Sequence, residues 1–306
     1  MMKHIPESYL APSPVRGRIE TIPYRNKFGL LYTPVKPAKR ILYLIHGGGG
    51  DQYAFMCPDF VNMIDHMIAA GELAPLYIVA PCFYDPAETD KTPVSSGRAV
   101  AVFCDELRRE ILPAVEGRIG ATFDRRDRII SGFSMGGVTT WYAFLQAMDL
   151  FQWFLPLSGD CWVCGETGGG SHPDETAAIL ADTARSQGLP YHIHAITGDK
   201  DIAWPNLDAQ IRATRAFPDL FGEDNLEYTV LPGGVHDYET MFRYLYNALP
   251  EVELGERIRR MVSPKPSQNV FPDWKSTKAT RSPCIPGNKT VLSRSKRLIG
   301  TDRRHL

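Results

Sequence analysis

The sequence has no apolar run long enough to cross a membrane. Its longest apolar stretches are strand-sized, whereas a spanning helix needs about 20 consecutive apolar residues. The first residues, Met-Met-Lys-His-Ile-Pro-Glu-Ser, also lack the apolar middle region that is typical of a secretory signal. We therefore expect no membrane partner and a cytoplasmic location, or a secreted protein if a leader has been removed.

Cysteine is sparse, with six residues scattered over a chain of 306. Such a distribution does not resemble the dense disulfide framework of a small secreted domain, so most of these cysteines are predicted to be free thiols. Cys161 and Cys164 have the spacing of a metal or redox pair, but no second cysteine pair follows. The sequence therefore predicts neither a metal site nor a cofactor.

Charge is nearly balanced overall, but it is unevenly distributed. Residues 263–306 carry ten Lys and Arg against two Asp and Glu, although the whole chain has a net charge of −1. Five prolines interrupt this stretch, and it shows no helical or strand periodicity. We predict a catalytic domain over residues 1–262, followed by a basic, Pro-rich tail that is disordered or loosely packed. No nucleic-acid partner is expected.

Strand and helix patterns alternate through the first 250 residues. After a β-rich hairpin over residues 15–35, short apolar runs predict strands at 40–45, 76–80, 129–131, 153–157, 191–197 and 226–231. Helical spacing predicts helices at 59–70, 100–119, 136–148, 174–187, 203–216 and 238–249, and the Gly-rich stretch 165–173 is interpreted as irregular. This alternation predicts an α/β fold with a mostly parallel central sheet covered by helices on both faces, and ligands at the carboxyl ends of the strands.

The pentapeptide Gly132-Phe-Ser-Met-Gly136 lies between a predicted strand and a predicted helix. A serine with glycines two residues to either side is typical of a tight strand-to-helix turn that exposes a nucleophile. Such a pattern also occurs by chance in Gly-rich loops, but here the strand before it and the helix after it are both predicted. We therefore take Ser134 as a candidate nucleophile for acyl transfer.

A serine hydroxyl needs a base to accept its proton and an acid to orient that base. His236 follows the strand at 226–231 in a Gly-rich loop before the last amphipathic helix, so it is the candidate base. The strand at 191–197 leads into Gly198-Asp-Lys-Asp201. We favour Asp201 as the acid and keep Asp199 as the alternative, because both follow the same strand end.

The negative charge that develops on an attacked carbonyl oxygen needs hydrogen-bond donors already aimed at it. The backbone N–H of Met135, directly after the candidate nucleophile, is one expected donor. The second is expected from the four glycines after His46, with Gly48 preferred and Gly47 as the alternative. His46 itself is predicted to brace this turn. No Gly-Lys-Ser/Thr follows, so a phosphate-binding loop is disfavoured.

Four motifs in this order resemble the putative-esterase group of the α/β-hydrolases, specifically the feruloyl and acetyl xylan esterases of carbohydrate esterase family 1. They are His46-Gly-Gly-Gly-Gly, Gly132-Phe-Ser-Met-Gly-Gly137, Gly198-Asp-Lys-Asp201 and Gly233-Gly-Val-His-Asp237. The resemblance spans about residues 15–250 and implies an α/β-hydrolase fold with Ser134, Asp201 and His236 as the catalytic triad. The tail after Met261 has no counterpart in it.

A further segment, Pro156-Leu-Ser-Gly-Asp-Cys-Trp162, resembles a part of feruloyl esterases that places an aromatic residue near the substrate. Trp162 is therefore a candidate to stack on a phenolic acid or a sugar ring, and its alternative role is to anchor a loop or the core. Gly47 and Asp160 are expected beside it as substrate-binding residues.

The sequence thus favours a serine carboxylester hydrolase that releases a feruloyl or acetyl group from plant-cell-wall oligosaccharides. A cytosolic S-acyl-glutathione hydrolase, a general carboxylesterase or an acyltransferase would share the triad and differ in the pocket. A non-catalytic binding protein with the same fold is the alternative outside catalysis, and the three intact motifs that carry Ser134, Asp201 and His236 argue against it. The expected partner is a small-molecule or oligosaccharide ester.

Overall fold

The computed structural model describes residues 2–262, and the predicted tail at 263–306 lies outside the described residues. Its strands are β1 (Arg18–Tyr24), β2 (Lys27–Thr33), β3 (Arg40–Ile45), β4 (Leu76–Ala80), β5 (Arg128–Phe133), β6 (Trp153–Leu157), β7 (His192–Gly198) and β8 (Leu226–Leu231). Its helices are α1 (Pro58–Ala70), α2 (Pro93–Glu106), α3 (Leu112–Ile119), α4 (Met135–Gln146), α5 (Gly168–Ser171), α6 (Pro173–Gln187), α7 (Trp204–Thr214) and α8 (Tyr238–Val262).

The strands of the described residues form one eight-stranded sheet in the order β1-β2-β4-β3-β5-β6-β7-β8. The hairpin of β1 and β2 is antiparallel and joins β4 antiparallel, while every pair from β4 to β8 is parallel. The predicted mostly parallel α/β-hydrolase sheet is confirmed. Because the chain leaves β3, β5, β7 and β8 at the same edge, the predicted site residues that follow these strands meet there.

The sheet is buried on both faces, which explains the continuous apolar run of β3. Ile41, Tyr43 and Ile45 point into a core shared with α2, α4, α6 and α7, whereas Leu42 and Leu44 point into a second core shared with α1 and α8. Successive side chains of a strand point to opposite faces, so only a strand covered on both sides is apolar at every position. The helices packed on both faces hold the sheet, and with it the strand ends that carry the site, in place.

Two sequence predictions differ from the structure in detail. The helix predicted over 100–119 begins earlier, at Pro93 with Thr92 as its N-cap, and contains a π-helical turn over Leu107–Ile111. Pro113 has no N–H to continue the regular pattern, and the N–H of Leu112 bonds instead to the carbonyl of Leu107, five residues back. The stretch interpreted as irregular contains the short helix α5.

No helix in the described part of the chain combines the length and the apolarity that crossing a membrane requires.

Candidate active site

Ser134 occupies a strained turn between β5 and α4. Its backbone angles are φ 56° and ψ −116°, a region that side-chain-bearing residues rarely adopt. The turn is held by the hydrogen bond that the Ser134 N–H donates to the carbonyl of Leu157, with an N···O distance of 2.9 Å. A sharp turn of this kind places the serine hydroxyl above the carboxyl end of the sheet, where other groups can reach it.

The flanking glycines are required by close backbone contacts. A Cβ on Gly132 would lie 2.6 Å from the backbone of Gly136, and a Cβ on Gly136 would lie 2.1 Å from the carbonyl oxygen of Ile45. Real Cβ atoms essentially never approach other atoms this closely, so a side chain at either position would force the strand and the helix apart. The Gly-x-Ser-x-Gly spacing is therefore the packing condition for the turn.

His236 lies beside the candidate nucleophile. Its Nε2 is 3.0 Å from the Oγ of Ser134, and its Nδ1 is 2.7 Å from the Oδ1 of Asp201. The imidazole packs at 4.6 Å, ring centroid to ring centroid, against Phe133, the residue before the serine. The structure thus brings together the three side chains that the sequence predicted to converge.

The two candidate acids have different partners. Asp201 contacts His236, its side chain is 0% exposed, and its Oδ1 also accepts a hydrogen bond from the N–H of Ala203. Asp199 accepts a hydrogen bond from the N–H of Gly233, at an N···O distance of 2.7 Å. Asp201 therefore faces the imidazole, while Asp199 holds the loop that leads to it.

These contacts specify which ring nitrogen carries the proton. A carboxylate can only accept hydrogen bonds, so Asp201 requires an N–H at Nδ1 of His236. In a neutral imidazole the other nitrogen, Nε2, is then a bare acceptor that faces the hydroxyl of Ser134. The arrangement is competent for general-base activation of the serine.

In the Gly-rich turn after β3, the backbone N–H groups on either side of Gly48 are both hydrogen-bonded to tyrosine side chains. The Gly47 N–H donates to the hydroxyl of Tyr238 at 3.0 Å, and the Gly49 N–H donates to the hydroxyl of Tyr84 at 2.9 Å. No acceptor is found for the Gly48 N–H within the described residues. Gly48 also lies against Met135, since a Cβ on this glycine would be 3.1 Å from the Met135 Cγ.

Met135 is the first residue of α4, where helix geometry provides no backbone acceptor for its N–H. The two predicted oxyanion donors, Gly48 and Met135, are thus neighbours. Gly47, the alternative donor and a predicted substrate-binding residue, has its N–H engaged by the tyrosine. The roles of these groups toward a substrate stay predictions.

His46 is fully buried at the start of the turn. Its Nδ1 donates to the carbonyl of Gly47 at 2.7 Å, its Nε2 lies 3.3 Å from the Sγ of Cys82, and its ring stacks on Phe83 at 4.2 Å. Both ring nitrogens are engaged away from Ser134, which agrees with the predicted bracing role. Burial lowers the pKa of His46 from 6.5 to about 4, so the ring is neutral at neutral pH.

The low pKa of His46 predicts that the free energy of unfolding depends on pH. In the unfolded chain this imidazole takes up a proton near pH 6.5, whereas in the folded chain it does so only near pH 4. Its contribution is therefore present above pH 6.5 and is lost as the pH falls toward 4, by about 2 kcal/mol at pH 5. Urea unfolding at pH 7 and pH 5 measures this loss.

The His46→Asn variant supplies the comparison, because its side chain cannot be protonated in this range. It should be less stable than the wild type at pH 7 but lose about 2 kcal/mol less between pH 7 and pH 5. Equal losses in the two proteins would contradict the assignment of the pH dependence to this histidine.

Asp160 organises the loop after β6. Its Oδ1 accepts from the Nε1–H of Trp162 at 3.2 Å, and its Oδ2 accepts from the N–H of Gly169 at 3.0 Å. Burial raises the pKa of Asp160, and these two hydrogen bonds oppose that shift. Because both oxygens are engaged, Asp160 positions Trp162 rather than offering a free carboxylate. The half-buried Trp162 ring covers Gly97 of α2, and its contact with substrate stays a prediction.

Two tyrosines of the site were missed by the sequence reasoning. Tyr84 follows β4 at the same sheet edge, and Tyr238 lies two residues after His236. Their position in segments that follow β4 and β8 was a usable signal, but their hydrogen bonds to Gly49 and Gly47 join distant parts of the chain. Tyr84 also lines a cavity of about 300 Å³ beside the turn, together with Lys27, Phe28, Gln52 and Lys91 among others.

One group within the described residues could hold a metal ion. His194, Glu227 and Glu251 place ligand atoms within 4.8 Å of one another, and they line a cavity of about 120 Å³. Although both carboxylates lie close to the ring, burial lowers the pKa of His194 to about 4 and keeps it neutral. The group lies near the amino ends of β7 and β8, at the sheet edge opposite Ser134. It takes no part in the triad.

Comparisons with known proteins identify close relatives. Endo-1,4-beta-xylanase Y of Acetivibrio thermocellus is 34% identical over 274 residues, which cover 80% of this chain and 24% of the relative. The chain therefore spans about a quarter of that protein's length. A solved mutant of the feruloyl esterase module from Clostridium thermocellum, complexed with sinapinate, is 31% identical with a TM-score of 0.71, covering 81% of this chain and 92% of that one.

A more distant structure shares the fold alone. The CE1 ferulic acid esterase of the anaerobic fungus Anaeromyces mucronatus is 18% identical with a TM-score of 0.63, covering 82% of this chain and 97% of that one. A scan against protein-family profiles gives no match.

Proposed function

This chain belongs to the feruloyl esterases of carbohydrate esterase family 1, and from this membership we propose that it hydrolyses feruloyl or acetyl esters of plant-cell-wall oligosaccharides with Ser134 as the nucleophile. The observation that carries the proposal is the hydrogen-bonded series Ser134 Oγ, His236 Nε2, His236 Nδ1 and Asp201 Oδ1, with separations of 3.0 and 2.7 Å.

Acylation begins when the Oγ of Ser134 attacks the ester carbonyl carbon and gives its proton to Nε2 of His236. The imidazolium that forms is stabilised by the buried carboxylate of Asp201, which already accepts from Nδ1. The carbonyl oxygen becomes an oxyanion, and the N–H groups of Gly48 and Met135 are the proposed donors to it. Collapse of this intermediate expels the sugar alkoxide, which takes the proton from Nε2.

Deacylation repeats these steps with water as the nucleophile. His236 accepts a proton from the water as it attacks the acyl carbon, and then returns it to the Oγ of Ser134 as the acid departs. Both halves use the same oxyanion donors and the same orienting carboxylate. In both half-reactions, His236 accepts and then donates each proton that is transferred.

The related Clostridium thermocellum module was solved with sinapinate, a methoxylated hydroxycinnamate. Ferulate has the same planar cinnamoyl frame with one methoxy group fewer. An exposed part of the Trp162 ring would bury such a planar group at low entropic cost. These points support a hydroxycinnamoyl group as the acyl part of the substrate.

A hydrolysis panel tests the substrate class. We expect methyl ferulate or acetylated xylo-oligosaccharide to exceed S-formylglutathione in kcat/KM by at least about tenfold, which corresponds to about 1.4 kcal/mol of transition-state binding. p-Nitrophenyl acetate serves as the control for a working triad. A preference for S-formylglutathione would instead support a cytosolic thioesterase. No reaction with any ester or with a fluorophosphonate would point to a binding protein.

A further inference from the structure

An oxyanion donor is effective only when its position is fixed before the reaction, because a mobile donor must be reorganised in the transition state. The turn over residues 46–50 contains four consecutive glycines, the residues with the greatest backbone freedom. Its own hydrogen bond, from the N–H of Gly50 to the carbonyl of Gly47, closes the turn but does not fix its orientation toward Ser134. Other groups must supply that constraint.

Tyr238 constrains the turn from the side of the catalytic base. Its hydroxyl accepts from the N–H of Gly47 at 3.0 Å, and its ring packs edge-on against Phe133 at 5.1 Å and Phe55 at 5.6 Å. Phe133 precedes the nucleophile, and Tyr238 follows the base by two residues. One side chain therefore links the turn to the segments that carry Ser134 and His236.

Tyr84 constrains the turn from the opposite side. Its hydroxyl accepts from the N–H of Gly49 at 2.9 Å and shares a second hydrogen bond with the Oγ of Ser96 on α2 at 2.6 Å. The Tyr84 side chain is buried, and its ring lies 4.4 Å from that of Phe83, which stacks on His46. The hydroxyl is thus held by a helix and by the aromatic cluster beneath the turn.

We propose that the hydroxyls of Tyr238 and Tyr84 are positioning groups that hold the turn on both sides of Gly48 and so aim the Gly48 N–H at the oxyanion. The inference rests on the proposed esterase function and assigns two residues to the geometry of its transition state. Engaging Gly47 and Gly49 leaves the N–H between them as the donor in the turn for the substrate. The two hydroxyls act through the backbone and do not contact the reacting atoms.

Burial raises the pKa of the Tyr238 hydroxyl, so this group stays neutral near neutral pH. A neutral hydroxyl can accept from the N–H of Gly47 near neutral pH. The positioning effect of Tyr238 is therefore expected to be present at the neutral pH at which the rates are measured.

The test uses Tyr238→Phe and Tyr84→Phe, which remove one hydroxyl each and keep the packed rings. Tyr191→Phe is the matched control, because its hydroxyl donates to the carbonyl of Leu220. Tyr191 directly precedes β7, so it lies at the amino end of this strand, whereas the triad lies at the carboxyl ends. Steady-state rates are measured with p-nitrophenyl acetate and methyl ferulate. Affinity is measured for an arylboronic acid, which forms a tetrahedral adduct on a serine oxygen, and for ferulate, which does not.

Each site variant should lower kcat about tenfold with KM within about twofold, since losing a whole oxyanion donor costs about 10² to 10³. The boronic acid should bind more weakly by the same factor, while ferulate binding and the control variant stay unchanged. Because both hydroxyls act on one donor, the double variant should lose no more than about 10³-fold. Unchanged kcat, or a lower kcat with unchanged boronic acid affinity, would overturn the proposal.

Amide hydrogen exchange separates this inference from the proposed function, because it needs no substrate. Tyr238→Phe should accelerate exchange at Gly47, and Tyr84→Phe should accelerate exchange at Gly49, each relative to Tyr191→Phe. Unchanged exchange at both amides would overturn the positioning role even in an active esterase. If wild type cleaves p-nitrophenyl acetate but not methyl ferulate, the substrate class fails while the rate ratios still test the two hydroxyls.

Discussion

Replacing Ser134 with alanine is expected to lower turnover by at least about four orders of magnitude, because removal of a triad nucleophile leaves only binding and oxyanion stabilisation. The change should leave the fold intact. The Oγ of this serine contacts His236, and the backbone of the strained turn is held by Leu157 and by the glycine contacts rather than by the hydroxyl. Activity is measured with p-nitrophenyl acetate and stability by thermal unfolding.

Ser131→Ala provides the matched control, on β5 three residues before the nucleophile. The Ser131 hydroxyl is buried and donates to the carbonyl of Leu155 at 2.8 Å, away from the triad. Its removal should cost about 1 kcal/mol of stability and leave turnover within about twofold. If Ser134→Ala retained turnover within tenfold of this control, another group would have to be the nucleophile.

Replacing Asp201 with asparagine is expected to lower kcat by about 10³ to 10⁴, the size of effect found when a triad acid is converted to its amide. An amide can place a donor where His236 requires an acceptor, which favours the wrong imidazole tautomer. Asp201 is fully buried, so water cannot easily replace the missing carboxylate oxygen. Circular dichroism and thermal unfolding check that the variant folds.

Asp199→Asn is the paired comparison, because it makes the same chemical change two residues away. Its remaining carbonyl oxygen can still accept from the N–H of Gly233, so the loop before His236 should keep its position. We expect kcat to fall less than about tenfold. A dominant loss at Asp199 would reverse the assignment of the acid and contradict the geometry of the turn after β7.

The fold was predictable because its signals are local. The apolar run of β3 reflects burial on both faces of its strand. The apolar residues after Ser134 reflect a helix, α4, that is buried at most of its positions. The π-helical turn over Leu107–Ile111 was not predicted, since the apolar stripe continues through it. Only the missing N–H of Pro113 marks the break, and prolines are also tolerated in the first turn of a regular helix.

The sequence predicted which strand ends carry the site residues, but it did not predict which partner each of these residues contacts. Asp199 and Asp201 both leave β7, and their separation into a loop acceptor and an imidazole partner depends on the turn that begins at Gly198. A Cβ on Gly198 would lie 2.2 Å from the carbonyl oxygen of Gly234, so this turn packs directly on the histidine loop. Contacts between segments distant in sequence decide such choices, and residue spacing alone does not contain them.

The loop after β6 shows the same limit. Asp160 and Trp162 were both expected to bind the substrate. In the structure they are hydrogen-bonded to each other, a contact that the sequence did not predict. The partner that fixes the loop, Gln210 of α7, accepts from the N–H of Cys161 at 2.6 Å and was not singled out by any motif. A buried glutamine on an amphipathic helix gives little indication of its partner in the sequence.

Mass spectrometry of the protein after reaction with a fluorophosphonate tests most directly whether Ser134 is the nucleophile that attacks the ester. Ser134 should carry one phosphonyl group per chain, and the Ser134→Ala variant should remain unlabelled under the same conditions. Labelling of a different residue, or equal labelling of wild type and variant, would contradict the assignment of the nucleophile and of the triad built around it.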